Sequence, residues 1–161
     1  MSCSAMTAWV LWAAVCGADD AAPAETDGLT PEEREVVRLT NEQRRAAGLE
    51  PLAISPKLNQ AAAAHSRHMA GLGKLAHELS GTTPAERVRG AGYEYRLVGE
   101  NVAWNQPDAE AVVKAWMGSD YHRANILRPE FTEIGVAVAR NDKGEPYWTQ
   151  VFARPQSTEG E

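Results

Sequence analysis

Between residues 29 and 158 there is no cysteine; Cys3 and Cys16 both lie ahead of that stretch. It therefore holds neither a disulfide nor a thiol. That excludes a cysteine nucleophile, cysteine-ligated zinc and a stapled secreted scaffold. An excess of one charge is missing from it too. The whole chain carries a formal net charge of −6, yet residues 29–158 hold 16 acidic and 16 basic side chains. The acidic surplus sits in Asp19, Asp20, Glu25 and Asp27 before them and in Glu159 and Glu161 after them. A neutral domain without a Lys/Arg stripe excludes an electrostatic nucleic-acid footprint and offers no attraction to anionic membranes. The apolar, uncharged run at residues 5–18 is too short to span a bilayer comfortably. No internal repeat is evident. Two catalytic signatures are lacking. No Gly-x-Ser-x-Gly elbow exists, so nothing singles out Ser66, Ser80 or Ser119 as a nucleophile. His77-Glu78 is not a zincin motif either, because Gly81 stands where the second histidine belongs.

What is present is enough for one domain. The chain has 161 residues, long enough to bury a core without staples. Residues 1–18 read as a signal peptide, with cleavage after Ala18, or as a lipoprotein leader with Cys16 as the attachment point. Residues 19–29 read as an acidic linker, 30–155 as the folded domain and 156–161 as a tail. The expected location is extracellular or periplasmic, with lipid anchoring if Cys16 carries an anchor.

Local signals divide the domain. Thr30-Pro31-Glu32-Glu33 joins a capping threonine, a first-turn proline and an N3 glutamate, and predicts a helix over 31–47 that stops at Gly48. Ser55-Pro56 opens a second helix to about residue 72, with Leu58, Ala62, His65, Met69 and Leu72 at helical spacing. Thr83-Pro84-Ala85-Glu86 opens a short third one. Residues 95–104 read as a strand, Gln106-Pro107-Asp108 as another helix start, and His122–Leu127 as a short turn of helix. Residues 134–139 and 147–152 read as strands joined by the turn Asn141–Gly144. Helices first and a hairpin last favour an α+β fold with an antiparallel sheet.

The stretch richest in chemistry is Gly99-Glu100-Asn101-Val102-Ala103-Trp104. It places one carboxylate at the edge of an apolar strand, with His77 before it and His122 after it. Three ligand-type side chains on separate segments predict one pocket assembled by folding. His65 lies on the apolar stripe of its helix and reads as a core histidine, and His68 as solvated. Asn101 and Asn125 read as amides that fix backbone. Trp104, Trp116 and Trp148 read most simply as core, with a ligand-groove wall as the alternative. Arg123 is expected to pair with a nearby acid.

Asn41–Arg44 on the first helix, then His65, Ser66, Met69 and Ala70, then His77, the Gly99–Ala103 run, Trp116, the His122–Leu127 run, Ile134–Val136 and Thr149–Phe152 follow in this order. Together they resemble the CAP superfamily of cysteine-rich secretory, antigen 5 and pathogenesis-related proteins, in its disulfide-free bacterial form, also called SCP-domain proteins. The resemblance implies a three-layer α-β-α sandwich with a central antiparallel sheet and a large cleft. It implies that His77, Glu100 and His122 line that cleft, and that His77 and His122 can bind a divalent metal such as zinc. The family's second glutamate follows the tryptophan of the long helix. Here that segment reads Trp116-Met117-Gly118-Ser119-Asp120, so Asp120 is the acid left to fill the fourth place.

Two functions stay open at this level. The first is an exported, monomeric binding module for a lipid, a sterol or another cell-envelope component. The second is a metal-dependent hydrolase of peptide or cell-wall polymer, with His77 and His122 holding zinc and Glu100 as general base.

Overall fold

A computed structural model describes Met1 and residues 28–156. Nearly all of the predicted leader, of the acidic linker and of the tail lies outside the described residues. None of the described helices is long and apolar enough to cross a membrane.

The elements follow the local signals. Helix α1 spans Pro31–Ala46, strand β1 Ala53–Ile54, helix α2 Pro56–Leu72, helix α3 Pro84–Gly90 and strand β2 Tyr95–Trp104. Helix α4 spans Ala109–Met117, helix α5 Asp120–Ile126, strand β3 Glu133–Arg140 and strand β4 Pro146–Pro155. Both capping boxes form: Thr30 with Glu33, and Thr83 with Glu86, each with bonds in both directions. Asp108 caps α4 by accepting from Ala111 N–H at 2.8 Å. Ser55 precedes α2 as expected, but its side chain makes no capping bond, so Pro56 and the buried apolar stripe define that start.

The strands form one sheet in the order β1-β3-β4-β2. β4 pairs antiparallel with β2 and with β3, as the terminal hairpin requires. The three expected strands pair antiparallel, and one unexpected strand joins them at the edge: the two-residue β1 pairs parallel with β3, through Ala53–Glu133 and Ile54–Ile134. A two-residue strand is too short to carry an alternating pattern, so periodicity could not reveal it.

The sheet is the middle layer of an α-β-α sandwich. On one face α1, α4 and α5 close over Ile134, Val136, Trp148 and Phe152, with Trp116 and Val112 opposite them. Phe131 stacks on Phe152 with ring centroids 5.4 Å apart. Burying each such side chain contributes about 1.5–3 kcal/mol, so this cluster is the main driving force for folding. On the other face α2 lies along β3 and β4, packing Leu58, Ala61 and Ala62 on Ala137, Val151 and Ala153. Gly135 permits this approach. A Cβ there would sit 2.2 Å from the backbone carbon of Leu58, closer than any side chain tolerates.

Polar side chains tie the α1 face together. Arg44 is 1% exposed, and its guanidinium donates to the carbonyls of Glu50, Ile126, Arg128 and Phe131. Asn41 exchanges two hydrogen bonds with the backbone of Leu52. Gln150 bridges Thr40 Oγ1 and Asn101 through the core.

One tryptophan departs from the expected core placement. Trp116 and Trp148 are buried, but Trp104 is 42% exposed. It ends β2, the edge strand, where the sheet has no further strand to cover it. One side of its ring tilts onto Tyr147 at 6.4 Å.

Candidate functional site

Glu100 lies on β2 with its side chain toward the α2 face and only 2% exposed. Gly99 before it lets the strand pass close beneath Phe131 and Asn125; a Cβ on Gly99 would meet the Phe131 ring at 2.7 Å. Each carboxylate oxygen has one hydrogen-bond partner. Oε1 lies 2.9 Å from His77 Nδ1, and Oε2 accepts from Arg87 Nη2 at 2.7 Å. His65 Nε2 stands 3.8 Å from Oε1.

Arg87 is the residue that sequence reasoning missed. It lies on α3, whose signal was read only as a capping box, and its side chain is 9% exposed. Besides Glu100 it donates to the carbonyl of His77 at 2.9 Å and to that of Thr82 at 3.0 Å. One guanidinium thus gathers β2, the loop carrying His77 and the start of α3. An ion pair this buried stabilises only when its hydrogen bonds are satisfied, as they are here.

This arrangement sets the His77 tautomer. A carboxylate paired with a guanidinium is an acceptor, so Nδ1 of His77 carries the proton. In the neutral ring Nε2 then holds the free lone pair, and the His77 side chain is 51% exposed.

His65 is buried in the core as expected, but its position bears on the site. Its Nε2 bonds the Ala76 carbonyl at 2.8 Å, holding the loop one residue before His77. A carbonyl only accepts, so Nε2 is the protonated nitrogen and buried Nδ1 has no hydrogen-bond partner in the protein. Burial holds the His65 pKa below the ordinary histidine value, against the opposing pull of Glu100.

His122 lies on α5, which begins at Asp120, two residues earlier than expected. Its pKa is also lowered, first by burial and then by the charge of His77. Backbone bonds fix its position. Asn101 Nδ2 donates to the His122 carbonyl at 3.1 Å, and Asn125 Nδ2 donates to the Glu100 carbonyl at 3.2 Å and to Asn101 Oδ1 at 2.9 Å. Both asparagines serve backbone, as their place in the sequence suggested. These bonds tie the Glu100 stretch of β2 to the helix that carries His122, and the His77 side chain meets Glu100 directly.

Asp120 is different. Its side chain is 86% exposed and pairs with Arg123 at 2.5 Å, which also supplies the acid expected beside that arginine. The start of α5 turns it to solvent, away from the buried carboxylate. Ser66 is wholly buried, with its hydroxyl 2.8 Å from Thr149 Oγ1 and 3.1 Å from the Ala137 carbonyl, so it is a core residue.

The donor set fits zinc poorly. Each oxygen of Glu100 already has one partner, Arg87 brings a positive charge to the carboxylate, and Asp120 is turned away. Among the described residues no group of three or more His, Cys, Asp or Glu side chains is placed to hold a metal ion. The two imidazoles that remain are fewer than the three protein ligands of a catalytic zinc site.

A second concavity opens at the far end of β2. A groove of about 710 Å³ runs between the end of α2 and the β3–β4 turn, lined by Arg67, Leu72, Trp104, Lys143 and Tyr147 among others. Trp104 is four residues beyond Glu100, about 13 Å along the strand. Leu79 and Val102 pack together between the two places.

The fold and the order of site residues now meet the comparison that decides the family. Residues 37–152 match the model of the CAP, cysteine-rich secretory protein family. The chain belongs to that family. The CAP domain is 42% identical over 121 residues to the Bacillus subtilis (strain 168) protein YkwD, covering 74% of this chain and 46% of YkwD. It superposes on an extracellular protein containing an SCP domain from Bacillus anthracis with a TM-score of 0.70 and 29% identity, over 78% of this chain and 44% of that one. It shares its fold with an outer surface protein from Borrelia burgdorferi at a TM-score of 0.73, 21% identity and coverage of 78% and 93%. The chain thus spans a little under half the length of its two Bacillus relatives. In this CAP domain the name-giving cysteines are absent, and the core described above holds the sandwich without them.

Proposed function

We propose that this chain is an exported CAP-domain binding module that takes an amphiphilic component of the cell envelope, such as a lipid or sterol, and is not a hydrolase. One observation carries the reading: both oxygens of Glu100 are bonded, to Arg87 and to His77. A general base needs a free lone pair within reach of its proton, and a metal ligand needs a free oxygen. Glu100 keeps further lone pairs, but Arg87 sets a positive charge against it and holds it in place, which favours a structural role. What this site presents to a ligand is the half-exposed ring of His77.

The ligand chemistry follows from the exposed apolar side chains. Leu72, Leu75 and Trp104 are 57%, 45% and 42% exposed, and Leu72 and Trp104 line the groove at the end of β2. Arg67 and Lys143 bring positive charge to the same groove, and suit an anionic or strongly polar head. An extracellular site of action accords with the extracellular Bacillus anthracis relative.

The test is uptake of fluorescent fatty acid and fluorescent sterol by wild type, Trp104→Ala and His77→Ala/His122→Ala. Uptake lost in Trp104→Ala places the ligand in the groove; uptake lost in the double histidine variant places it in the cleft. No uptake by well-folded wild type overturns the lipid reading. Hydrolysis of peptide or wall polymer that disappears in Glu100→Gln overturns the binding-module reading.

A further inference from the structure

We infer that the groove at the end of β2 binds the sugar head of a glycosylated lipid, with Trp104 as the platform for one sugar ring. The inference rests on the reading of this chain as a module for an envelope amphiphile, and it names the head group that the groove selects. It makes no use of the Glu100 site.

Three observations carry it. First, the two aromatic side chains of the groove keep unused polar atoms. Trp116 and Trp148 each donate their indole N–H to a backbone carbonyl, that of Val102 and that of Gln106. The indole N–H of Trp104 has no partner among the described residues. Tyr147 backs one side of the Trp104 ring. Tyr147 is only 2% exposed, yet it lines the groove, and its hydroxyl has no partner among the described residues either. That hydroxyl lies against Gly73 on the groove wall, 3.9 Å from where a Cβ would stand. A buried tyrosine ordinarily bonds its hydroxyl, so here the groove supplies the partner. Second, charged groups stand free around the rings. Arg140 is paired with Glu32, and Asn141 with Glu145. Arg67, Asp142 and Lys143 line the same groove with no side-chain partner among the described residues. Third, the wall is cut back at Gly71, which lies on α2 one turn beyond Arg67 and on the same face. Its backbone is not left-handed, and a Cβ there would meet nothing within 4 Å. Neither conformation nor packing calls for a glycine, which weakens a helix interior. Its missing side chain leaves room in the groove.

A sugar ring matches this set. One of its faces is a patch of C–H groups with partial positive charge, which seats on the negative face of an indole. Its rim carries hydroxyls that both donate and accept. Arg67 and Lys143 supply donors, Asp142 an acceptor, and the Tyr147 hydroxyl serves as either. A plain fatty acid or sterol would leave most of these groups unpaired, and a phosphate would face Asp142 as well as the two cations. The lipid part follows from the rim. Leu72 lines the groove and is 57% exposed, and Leu75, three residues on, is 45% exposed. An alkyl chain leaving the sugar would cover these leucines, which a free polysaccharide would leave in water.

The experiment titrates the methyl and octyl glycosides of glucose, galactose, mannose and N-acetylglucosamine, below micelle formation, into wild type, Trp104→Ala and Gly71→Leu. Palmitate is the sugar-free lipid. Binding is read by calorimetry and by the NMR shift of the Trp104 indole N–H. At least one octyl glycoside is expected to bind saturably and to move that resonance, while the bonded indoles of Trp116 and Trp148 stay in place. It should bind at least about tenfold tighter than its methyl glycoside, a gain that about two buried methylenes supply. Trp104→Ala should weaken it by about tenfold or more, the order of one lost ring contact. Gly71→Leu should abolish binding by filling the groove, with a urea midpoint no lower than wild type, since leucine is the better helix former. Palmitate uptake without binding of any glycoside leaves the binding module standing and overturns the sugar head. A methyl glycoside that binds as tightly as its octyl partner overturns the lipid source. Glycoside binding that survives both Trp104→Ala and Gly71→Leu overturns the placement in this groove. If folded wild type binds neither glycoside nor palmitate, this inference and the proposed function fall together.

Discussion

Two buried arginines divide the molecule into two kinds of region. Arg44, on the α1 face, donates to four backbone carbonyls and meets no acid in those bonds. Arg87, on the α2 face, donates to two carbonyls and to the carboxylate of Glu100. The first region is a scaffold: its guanidinium pins the turn between α5 and β3 to α1, and burial lowers its pKa with no charged partner to offset the cost. The second is a candidate site: its guanidinium is bonded to the buried carboxylate of Glu100 and to the loop that carries His77. The same residue type, buried in both places, maintains shape in one and chemistry in the other.

Replacing Arg44 should break the comparison most severely. Arg44→Met leaves four carbonyls without their donor and is expected to cost about 4 kcal/mol. Urea unfolding checks this, and a loss under about 1 kcal/mol, the worth of a single hydrogen bond, would remove Arg44 from the scaffold. Arg87→Met should cost about 3 kcal/mol, because it leaves Glu100 charged and buried. Adding Glu100→Gln should return at least about 1 kcal/mol of that, whereas no second change should rescue Arg44→Met. A double-mutant cycle without coupling would erase the distinction between the regions.

The histidines supply a smaller and pH-dependent test. The His65 and His122 pKa values are both held below their unfolded value by burial. Above that unfolded value, about 6.5, both are neutral in either state and contribute nothing to pH dependence. As pH falls below it, the unfolded chain binds protons that the fold refuses, so stability falls with pH. The urea midpoint should therefore drop between about pH 7.5 and about pH 5.5, and His122→Ala should show less of that drop. A midpoint that rises on acidification would mean that the cleft stabilises protonated imidazole instead. The smallest effect belongs to Asp120→Ala. Its pair with Arg123 is solvent-exposed, so stability should change by less than about 0.5 kcal/mol and zinc or lipid binding not at all. A changed zinc isotherm would restore Asp120 as the fourth acid of the cleft.

The site was half legible in the sequence. His77, Glu100 and His122 could be named because each sits in a recognisable run, and Glu100 with its flanking Gly99 stands out on an apolar strand. Arg87 could not. The segment Thr83–Glu86 carries so clear a capping signal that the next residue looked like ordinary helix surface. His65 was read as core and is core, but its bond to Ala76 beside His77 joins residues eleven positions apart. Trp104 continues an apolar run without a break, and nothing local marks it as the residue that emerges from the sheet edge.

Sequence by itself determined the helix starts at Pro31 and Pro84, the terminal hairpin and the lack of cysteine between residues 29 and 158. Capping boxes, turns and apolar stripes act over a few residues, so their energetics can be read along the chain. Tertiary structure decided the parallel pairing of β1 with β3, the exposure of Trp104, the exclusion of Asp120 and the engagement of Glu100 by Arg87. Each of these depends on which surfaces become buried against one another. Burial is a property of the folded whole: it turns a carboxylate and a guanidinium from two solvated charges into one bonded pair.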